Sequence, residues 1–340
     1  MSPACSKPSP KEFPLKPTRI RHVLTELLTD RWPVFLWGPP GVGKSSVVRS
    51  VAAEKGLELI DIRASLLDPT DLRGLPTVAG GRAVWVPPSF LPSDPVSLGV
   101  LFFDELNAAP PLVQASLYQL TLDRRVGEYR LPDGWRIVAA GNRAEDSSIV
   151  FRMPSALANR FIHLDFEADW EDWRKWALEA KLHPLVLSFL ALRPSLLLDL
   201  KGAVKAFPTP RSWEMLSDVL KRFGPEGLVD VAKGVVGEGP ALEFDGFVKR
   251  TLSEEKILRL LANPGEAALP TDLGELYTLV TYLSSWAHRE GMPKAAGTLL
   301  GRLNPELAVL LARDMLQASP AFARQPGYRA FVAEHRNLLL

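Results

Sequence analysis

Cysteine is almost absent from this chain of 340 residues, and its scarcity excludes one way of stabilising a fold. The single cysteine, Cys5, cannot form a disulfide within the chain, so the composition is typical of a reducing compartment. Long apolar runs are also missing, since none is long enough to cross a bilayer. Residues 1–17 lack the apolar core of a signal peptide. We therefore expect a soluble, cytoplasmic protein without membrane insertion.

Excess charge of either sign is missing as well. The formal net charge is +1, so no global field favours nucleic acid or an anionic membrane as a partner, although a local basic patch is not excluded. The five histidines show no spacing typical of zinc ligands, and we find no internal repeat. The hydrophobic fraction of 46% is ordinary for a globular protein, and this length leaves room for two domains.

Short apolar runs alternate with helical patterns in the first half of the chain. After a proline-rich stretch at 1–17, which predicts a flexible arm, strands are predicted at 33–37, 57–62, 99–103, 135–140 and 161–166. Continuous apolar strands separated by helices predict a parallel sheet that helices cover on both faces. Beyond residue 166 helical patterns dominate. We therefore predict an α/β domain at 18–166 and a helical domain at 167–340.

A glycine-rich segment stands where the first predicted strand ends and a helix begins. It fits the pattern G-x-x-x-x-G-K-[ST], whose glycines let backbone amides cradle phosphates. The lysine of this pattern reaches the β- and γ-phosphates of a nucleotide, and the serine hydroxyl ligates Mg²⁺. We assign phosphate binding to the loop and to the start of its helix: Gly38, Pro39, Pro40, Gly41, Val42, Gly43, Lys44, Ser45 and Ser46.

Two later strands end in polar residues that this loop would need. Asp104 and Glu105 follow the apolar run at 99–103; Asp104 would hold the metal together with Ser45, and Glu105 would orient the attacking water or accept its proton. Asn142 ends the strand at 135–140. If that strand lies beside the Asp104 strand, its amide can reach the γ-phosphate and the water, although a lone Gly-Asn is more commonly a turn.

With these pieces the sequence resembles the AAA+ ATPases, and further phrases resemble their MoxR branch, which carries an insert in its second helix. The resemblance covers about residues 18–250. The phrases are LLDPTDLRGLP (66–76), GRAVWVPPSFLP (81–92), DELNAAPP (104–111), MPSALANRF (153–161), FPTPRSW (207–213) and VVGEGPALEF (235–244). The resemblance implies a P-loop AAA+ core, with a parallel sheet sandwiched by helices, followed by a helical lid domain.

The resemblance also implies an assembly and two arginine roles. AAA+ proteins form rings of identical subunits, usually hexamers, with ATP between subunits. An arginine finger for the neighbour's ATP falls at Arg160, with Arg152 as a second candidate, and a sensor-2 arginine falls at Arg211 of the lid. Without the resemblance, the sequence would favour a surface ion-pair role for Arg160 and a solvated position in the first helical turn for Arg211. Thr209 and Pro210 predict the start of the Arg211 helix.

Two insertions are expected as hairpins, near residues 66–95 and 122–135. Glycines at 80 and 81 favour a turn in the first, and VGEYRLPDGW (126–135) forms the second. By resemblance both project toward the ring's pore or a bound partner, and Trp85 and Tyr129 are their candidate contact residues. The alternative is that both are ordinary surface hairpins.

The function implied is Mg²⁺-dependent ATP hydrolysis that remodels a partner protein in a chaperone-like way. Family members often work with a protein that carries a von Willebrand factor A domain, which makes such a protein the suggested client. Two alternatives stay open. A nucleic-acid motor would show DNA-stimulated hydrolysis with steep salt dependence, and the near-zero net charge argues against it. A nucleotide-gated scaffold would bind ATP with little turnover, which a phosphate-release assay would detect.

Overall fold

The structure, a computed structural model, describes residues 14–146, 150–201 and 205–335. The chain divides into two compact units, Met1–Asp169 and Trp170–Leu340. Most of the predicted arm, with Cys5, lies outside the described residues. The end of that stretch is ordered by backbone pairing, because the Leu15 amide donates to the Asp165 carbonyl at 2.7 Å and the Glu167 amide donates to the Leu15 carbonyl at 3.1 Å.

The first unit contains a parallel sheet, and the sheet confirms the predicted fold class. Its five strands follow the order β2-β5-β8-β1-β9, and every neighbouring pair is parallel. The strands of this unit are β1 (Val34–Trp37), β2 (Glu58–Arg63), β3 (Leu75–Ala79), β4 (Arg82–Val86), β5 (Gly99–Asp104), β6 (Arg125–Val126), β7 (Tyr129–Arg130), β8 (Trp135–Gly141) and β9 (Ile162–Asp165).

Helices cover both faces of this sheet, as continuous apolar strands require. The helices of the first unit are α1 (Pro17–Leu27), α2 (Lys44–Glu54), α3 (Pro69–Arg73), α4 (Pro111–Asp123) and α5 (Ser155–Ala158). Successive strand residues point to opposite faces, so Phe102 joins the core beneath α1 and α2, whereas Phe103 joins the core beneath α3 and α4. The parallel strands are therefore buried on both sides.

Two antiparallel hairpins stand apart from this sheet. The first joins β3 and β4 through Gly80 and Gly81, and both glycines have positive φ. The second joins β6 and β7 around Gly127. The Tyr129 hydroxyl of the second hairpin donates to the Pro92 carbonyl at 2.8 Å, and burial raises the pKa of Tyr129 to about 12. This hydroxyl therefore stays protonated as a donor over the physiological pH range.

The second unit is helical. Its helices are α6 (Trp170–Glu179), α7 (Pro184–Leu192), α8 (Pro210–Phe223), α9 (Val229–Val236), α10 (Glu238–Arg250), α11 (Glu254–Ala262), α12 (Leu273–Ser285), α13 (Met292–Leu300), α14 (Pro305–Ala318) and α15 (Pro326–Glu334). Asn304 caps α14 by accepting from the Leu307 amide at 2.9 Å, with Pro305 at the first helical position. Among the described residues, no helix combines the length and the apolar character that spanning a membrane would require.

Buried aromatic and charged side chains organise this helical core. Trp173 is buried, whereas Trp176 is 41% exposed. Helix α6 also contributes Arg174, which is 1% exposed and pairs with Asp314 of α14 at 2.6 Å. An ion pair therefore crosses the interior between helices that are 140 residues apart in sequence.

Candidate functional site

The carboxyl ends of the five parallel strands meet at one edge of the sheet. The registers place Trp37 opposite both Gly141 and Asp165, and Arg63 opposite Asp104. Loops at this edge follow β1, β5 and β8, the strands that the sequence analysis connected with phosphate, metal and water. In open α/β sheets, ligands bind outside the carboxyl ends of the strands, at the point where the strand order reverses.

The loop after β1 has the backbone conformation that its glycines predict. Gly41 and Gly43 have φ values of 73° and 108°, a region in which residues with side chains are strained. At Gly38, a Cβ atom would lie 2.8 Å from the Phe166 carbonyl oxygen. The loop leads directly into α2, whose first residue is Lys44. The amides at the start of a helix are oriented to bind an anion.

Lys44 is 7% exposed and lies inside the loop. Its Nζ donates to the Gly38 carbonyl at 2.6 Å, to the Pro39 carbonyl at 2.9 Å and to the Asn142 Oδ1 at 2.9 Å. All three of these oxygens are neutral. A phosphate oxygen would be a stronger partner because its hydrogen bond with the ammonium is charge-assisted.

Ser45 and Asp104 meet across the space between α2 and β5. The Ser45 hydroxyl donates to the Asp104 Oδ2 at 2.7 Å. A hydroxyl oxygen and a carboxylate oxygen are ligands that Mg²⁺ accepts, and Mg²⁺ completes its octahedron with waters and substrate phosphates. These two residues therefore fit the predicted metal site, and each could ligate Mg²⁺ directly or through water.

Glu105 is held away from ideal backbone geometry and close to β2. Its φ of 55° lies in the left-handed region, which is uncommon for a residue with a side chain and is often found at functional sites. Its amide donates to the Asp104 Oδ1 at 2.9 Å, and its Oε2 accepts from the Ser65 hydroxyl at 2.6 Å. Ser65 was not identified from the sequence.

Asn142 follows β8, and an amide side chain from the neighbouring loop holds its backbone. The Asn107 Nδ2 donates to the Asn142 carbonyl at 2.7 Å, and the Asn142 amide donates to the Asn107 Oδ1 at 3.2 Å. Sequence reasoning named Asn142 but missed Asn107. The signal that could have found it was a polar residue that closely follows the Asp104–Glu105 pair.

The acidic residue Asp146 lies near Lys44. Burial raises the pKa of Asp146 above its usual range, while the Arg143 amide, which donates to its Oδ2 at 2.9 Å, and the charges of Arg143 and Lys44 lower it. The Arg143 guanidinium itself pairs with Asp165, at the end of β9, at 2.9 Å. These contacts connect the loop after β8 to the end of β9.

Arg160 follows the short helix α5, and its side chain contacts its own subunit. Its guanidinium lies over the Tyr118 ring of α4, 4.1 Å from the centroid, and Nη1 donates to the Ala156 carbonyl. Its Nε is buried without a hydrogen-bond partner among the described residues. Arg152, the second candidate, is exposed. The structure therefore packs Arg160 against Tyr118, whereas the side chain of Arg152 is exposed.

Arg211 belongs to the second unit, at the start of α8. Thr209 caps this helix, since its hydroxyl accepts from the Ser212 amide at 3.0 Å, and Pro210 takes the first helical position. Both features were predicted, and Gly224 follows the last residue of α8. Arg211 is exposed. Burial, together with the charge of Asp218, raises the pKa of the nearby Glu214, and the charge of Arg211 opposes this rise.

Comparison with known proteins identifies the first unit. Residues 33–161 match the AAA domain family, dynein-related subfamily. Protein MoxR of Methylorubrum extorquens is 32% identical over 150 residues, 42% of this chain and 43% of that protein. Protein MoxR of Paracoccus denitrificans is 31% identical over 172 residues, 48% of this chain and 50% of that protein. Chaperone MoxR1 of Mycobacterium tuberculosis is 29% identical over 148 residues, 42% of this chain and 38% of that protein. These matches span about half the length of the curated relatives, or less.

Proposed function

We propose that this chain, whose residues 33–161 match the AAA domain family and which is similar to MoxR proteins, is a MoxR-family AAA+ ATPase. It binds ATP with Mg²⁺ and hydrolyses the bond between the β- and γ-phosphates to remodel a partner protein. The observation that carries this proposal is the meeting of Lys44, Asn142, Ser45 and Asp104 at one edge of the sheet. Four side chains from three strand ends converge there at hydrogen-bond distance. A surface loop without a function has no need of this convergence.

Hydrolysis at this site is a problem of positioning and charge, so each residue has a separate task. Lys44 exchanges its neutral partners for β- and γ-phosphate oxygens, and Asn142, freed from Lys44, reaches the γ-phosphate and the water. Ser45 and Asp104 would hold Mg²⁺, which would neutralise phosphate charge. Glu105 orients the water once its carboxylate leaves the Ser65 hydroxyl.

The proposal extends to assembly and to a client. A ring of identical subunits, hexameric as the resemblance suggests, would place Arg160 against the ATP of the next subunit, and Arg211 would bind the phosphates from the lid. The domain organisation proposed is the one predicted, with the core at 18–166 and the lid at 167–340. A protein with a von Willebrand factor A domain is the proposed client, and the name of the Mycobacterium relative, a chaperone, supports a remodelling role. A cytoplasmic location remains a prediction.

Phosphate release tests the chemical part of this proposal. The wild type should release phosphate from ATP in the presence of Mg²⁺, and Glu105→Gln should bind ATP but turn over about 10²–10⁴ times more slowly, because it loses the group that accepts or directs the proton. Glu58→Gln is the matched control, since Glu58 is exposed at the opposite end of the sheet. Equal turnover in Glu105→Gln and Glu58→Gln would contradict the role of Glu105.

Subunit mixing tests the arginine finger. Arg160→Ala and Glu105→Gln should each be nearly inactive, but an equal mixture should recover activity above both parents. About a quarter of the interfaces in a randomly mixed head-to-tail ring would join an intact Glu105 to an intact Arg160 of the neighbour. Two controls are needed: subunits must exchange, and wild type must keep activity when mixed with each variant. With both controls met, no recovery would contradict action on the neighbour.

A further inference from the structure

We propose that Asn107 is the positioning residue for Asn142 and that its side-chain amide sets the rate of the hydrolytic step. This inference rests on the function proposed above. Among the described contacts, the Asn107 side chain touches neither Lys44 nor the Ser45–Asp104 pair. Asn107 acts through the backbone of Asn142.

Asn142 lies just beyond the last residues of β8 that pair with neighbouring strands. The pairing of β8 with β5 ends at Phe103 and Ala139, and its pairing with β1 ends at Trp37 and Gly141. Asn142 is therefore the first residue beyond both ladders. Strand pairing cannot fix its backbone, yet its side chain must be placed accurately, since an error of about 1 Å at a reacting group can cost about 10²-fold in rate.

The side chain of Asn107 supplies the pairing that the strands do not. Nδ2 donates to the Asn142 carbonyl at 2.7 Å and Oδ1 accepts from the Asn142 amide at 3.2 Å. This is the donor-and-acceptor pattern that a neighbouring strand residue would offer. Asn107 is 3% exposed, so water does not compete freely for these bonds, and the buried amide would be costly to leave unpaired.

The surroundings are shaped to admit this amide. A Cβ atom on Gly141 would lie 2.2 Å from the Asn107 Oδ1, so a side chain at that position would displace it. The Asn107 carbonyl in turn accepts from the Phe151 amide at 2.7 Å. One residue therefore holds the chain on both sides of the loop that begins at Asn142, and the later side leads to Arg152 and Arg160.

Only an amide, or a protonated carboxyl, matches both partners of Asn107. In Asn107→Asp, an ionised carboxylate would still accept from the Asn142 amide but would place an oxygen against the Asn142 carbonyl. A protonated carboxyl regains a donor. Burial raises the pKa of a carboxyl, so the variant should recover its function as the pH falls. A residue that merely fills space would give no such pH signature.

The test compares kcat and KM for ATP from about pH 6 to about pH 8.5 in wild type, Asn107→Asp, Asn107→Ser and Gln114→Glu. For Asn107→Asp we expect kcat to fall about 10–100-fold at about pH 8.5, with KM changed much less. The ratio of the variant's kcat to the wild-type kcat should rise as the pH falls. Asn107→Ser, which cannot bridge both groups, should be slow at every pH. Asn107→Ser also tests the inference if Asn107→Asp does not fold.

Gln114→Glu is the matched control. It makes the same chemical change at a side-chain amide that is 1% exposed and donates to the Ala109 carbonyl at 3.0 Å instead of contacting Asn142. Its kcat per folded molecule should follow the wild-type pH profile. Thermal unfolding of each variant separates loss of folded protein from loss of rate.

The outcomes divide cleanly. Wild-type kcat in both Asn107 variants would overturn the inference, and so would equal losses in kcat and ATP affinity without recovery at low pH, or the same pH-dependent loss in Gln114→Glu. In these cases an active wild type leaves the proposed function standing. If the wild type itself releases no phosphate, the proposed function fails and the inference fails with it.

Discussion

Among the described residues, each unit of this protein buries one cation, and the two cations are held in different ways. Lys44 of the first unit is 7% exposed and contacts two backbone carbonyls and an amide oxygen. Arg174 of the second unit is 1% exposed and contacts the Asp314 carboxylate through Nε at 3.0 Å and Nη2 at 2.6 Å. The first cation donates hydrogen bonds to neutral oxygens and interacts with the Asp146 carboxylate through charge. The second cation donates two hydrogen bonds to one carboxylate.

This difference is the one expected between a proposed ligand site and a structural ion pair. Neutral oxygens can give up a lysine to an incoming phosphate at little cost, because a charge-assisted bond replaces weaker ones. A carboxylate bound through two nitrogens is already matched to its cation, and its value lies in compensating two buried charges. The comparison predicts that Lys44 matters for binding and that Arg174 matters for folding.

The largest effect on stability should come from breaking the buried pair. Arg174→Ala should lower the free energy of unfolding by about 3–5 kcal/mol. The variant removes the guanidinium that donates to the buried Asp314 carboxylate at 2.6 Å and 3.0 Å, and the Arg313 Nε, 3.9 Å from its Oδ1, makes no hydrogen bond to replace it. Arg174→Met combined with Asp314→Leu should recover most of that loss. Denaturant unfolding measures both.

Arg259→Ala is the control for that change. Arg259 pairs with Glu255 one helical turn away, but both side chains are about three-quarters exposed. Its removal should cost at most about 0.5 kcal/mol. Equal losses for Arg174→Ala and Arg259→Ala would break the comparison, since burial would then add nothing to the pair.

A smaller effect should appear in the second unit at acid pH. His183 caps α7, since its Nδ1 accepts from the Leu185 amide at 3.2 Å, and burial lowers its pKa from 6.5 to about 4, with the nearby charge of Lys221 as a secondary cause. The unfolded chain therefore binds the proton more readily than the folded chain. Stability is fully present above pH 6.5 and falls by about 2–3 kcal/mol as the pH drops from 6.5 to 4.

His183→Asn should remove this pH dependence, because asparagine caps a helix without titrating in this range. Denaturant unfolding of wild type and His183→Asn at pH 7 and at pH 4.5 measures the pH dependence of stability. Lys221→Ala, which alters only the secondary cause, should keep most of the dependence. An equal drop in wild type and His183→Asn would show that other groups cause the acid sensitivity.

The sheet and its loops were predictable because they depend on local patterns. Apolar runs gave strands within about two residues of their observed bounds, and the glycines, Lys44 and Ser45 lie in one continuous motif. Parallel strands then place their carboxyl ends together, so the sequence alone was enough to assign Asp104 and Asn142 to the same edge of the sheet.

What could not be predicted depends on pairs that are distant in sequence or on unusual uses of a residue. Arg174 and Asp314 are 140 residues apart, and nothing in either local pattern points to the other. Histidine is not a preferred helix cap, so His183 gave no signal. Asn107 contributes through the backbone of a residue 35 positions later, which sequence spacing does not reveal.

The most direct test of the nucleotide site measures how much ATP raises the free energy of unfolding of the wild type and of variants that replace Lys44 or Arg174. With Mg²⁺ and ATP at about 100 times the dissociation constant, the wild type should gain about 2.7 kcal/mol, and the Arg174→Met, Asp314→Leu variant should gain as much. Lys44→Ala at the same ATP concentration should gain far less, because the phosphates lose the lysine of the loop. If ATP stabilises Lys44→Ala as strongly as wild type, Lys44 does not bind phosphate, and the assignment of this loop as the nucleotide site is contradicted.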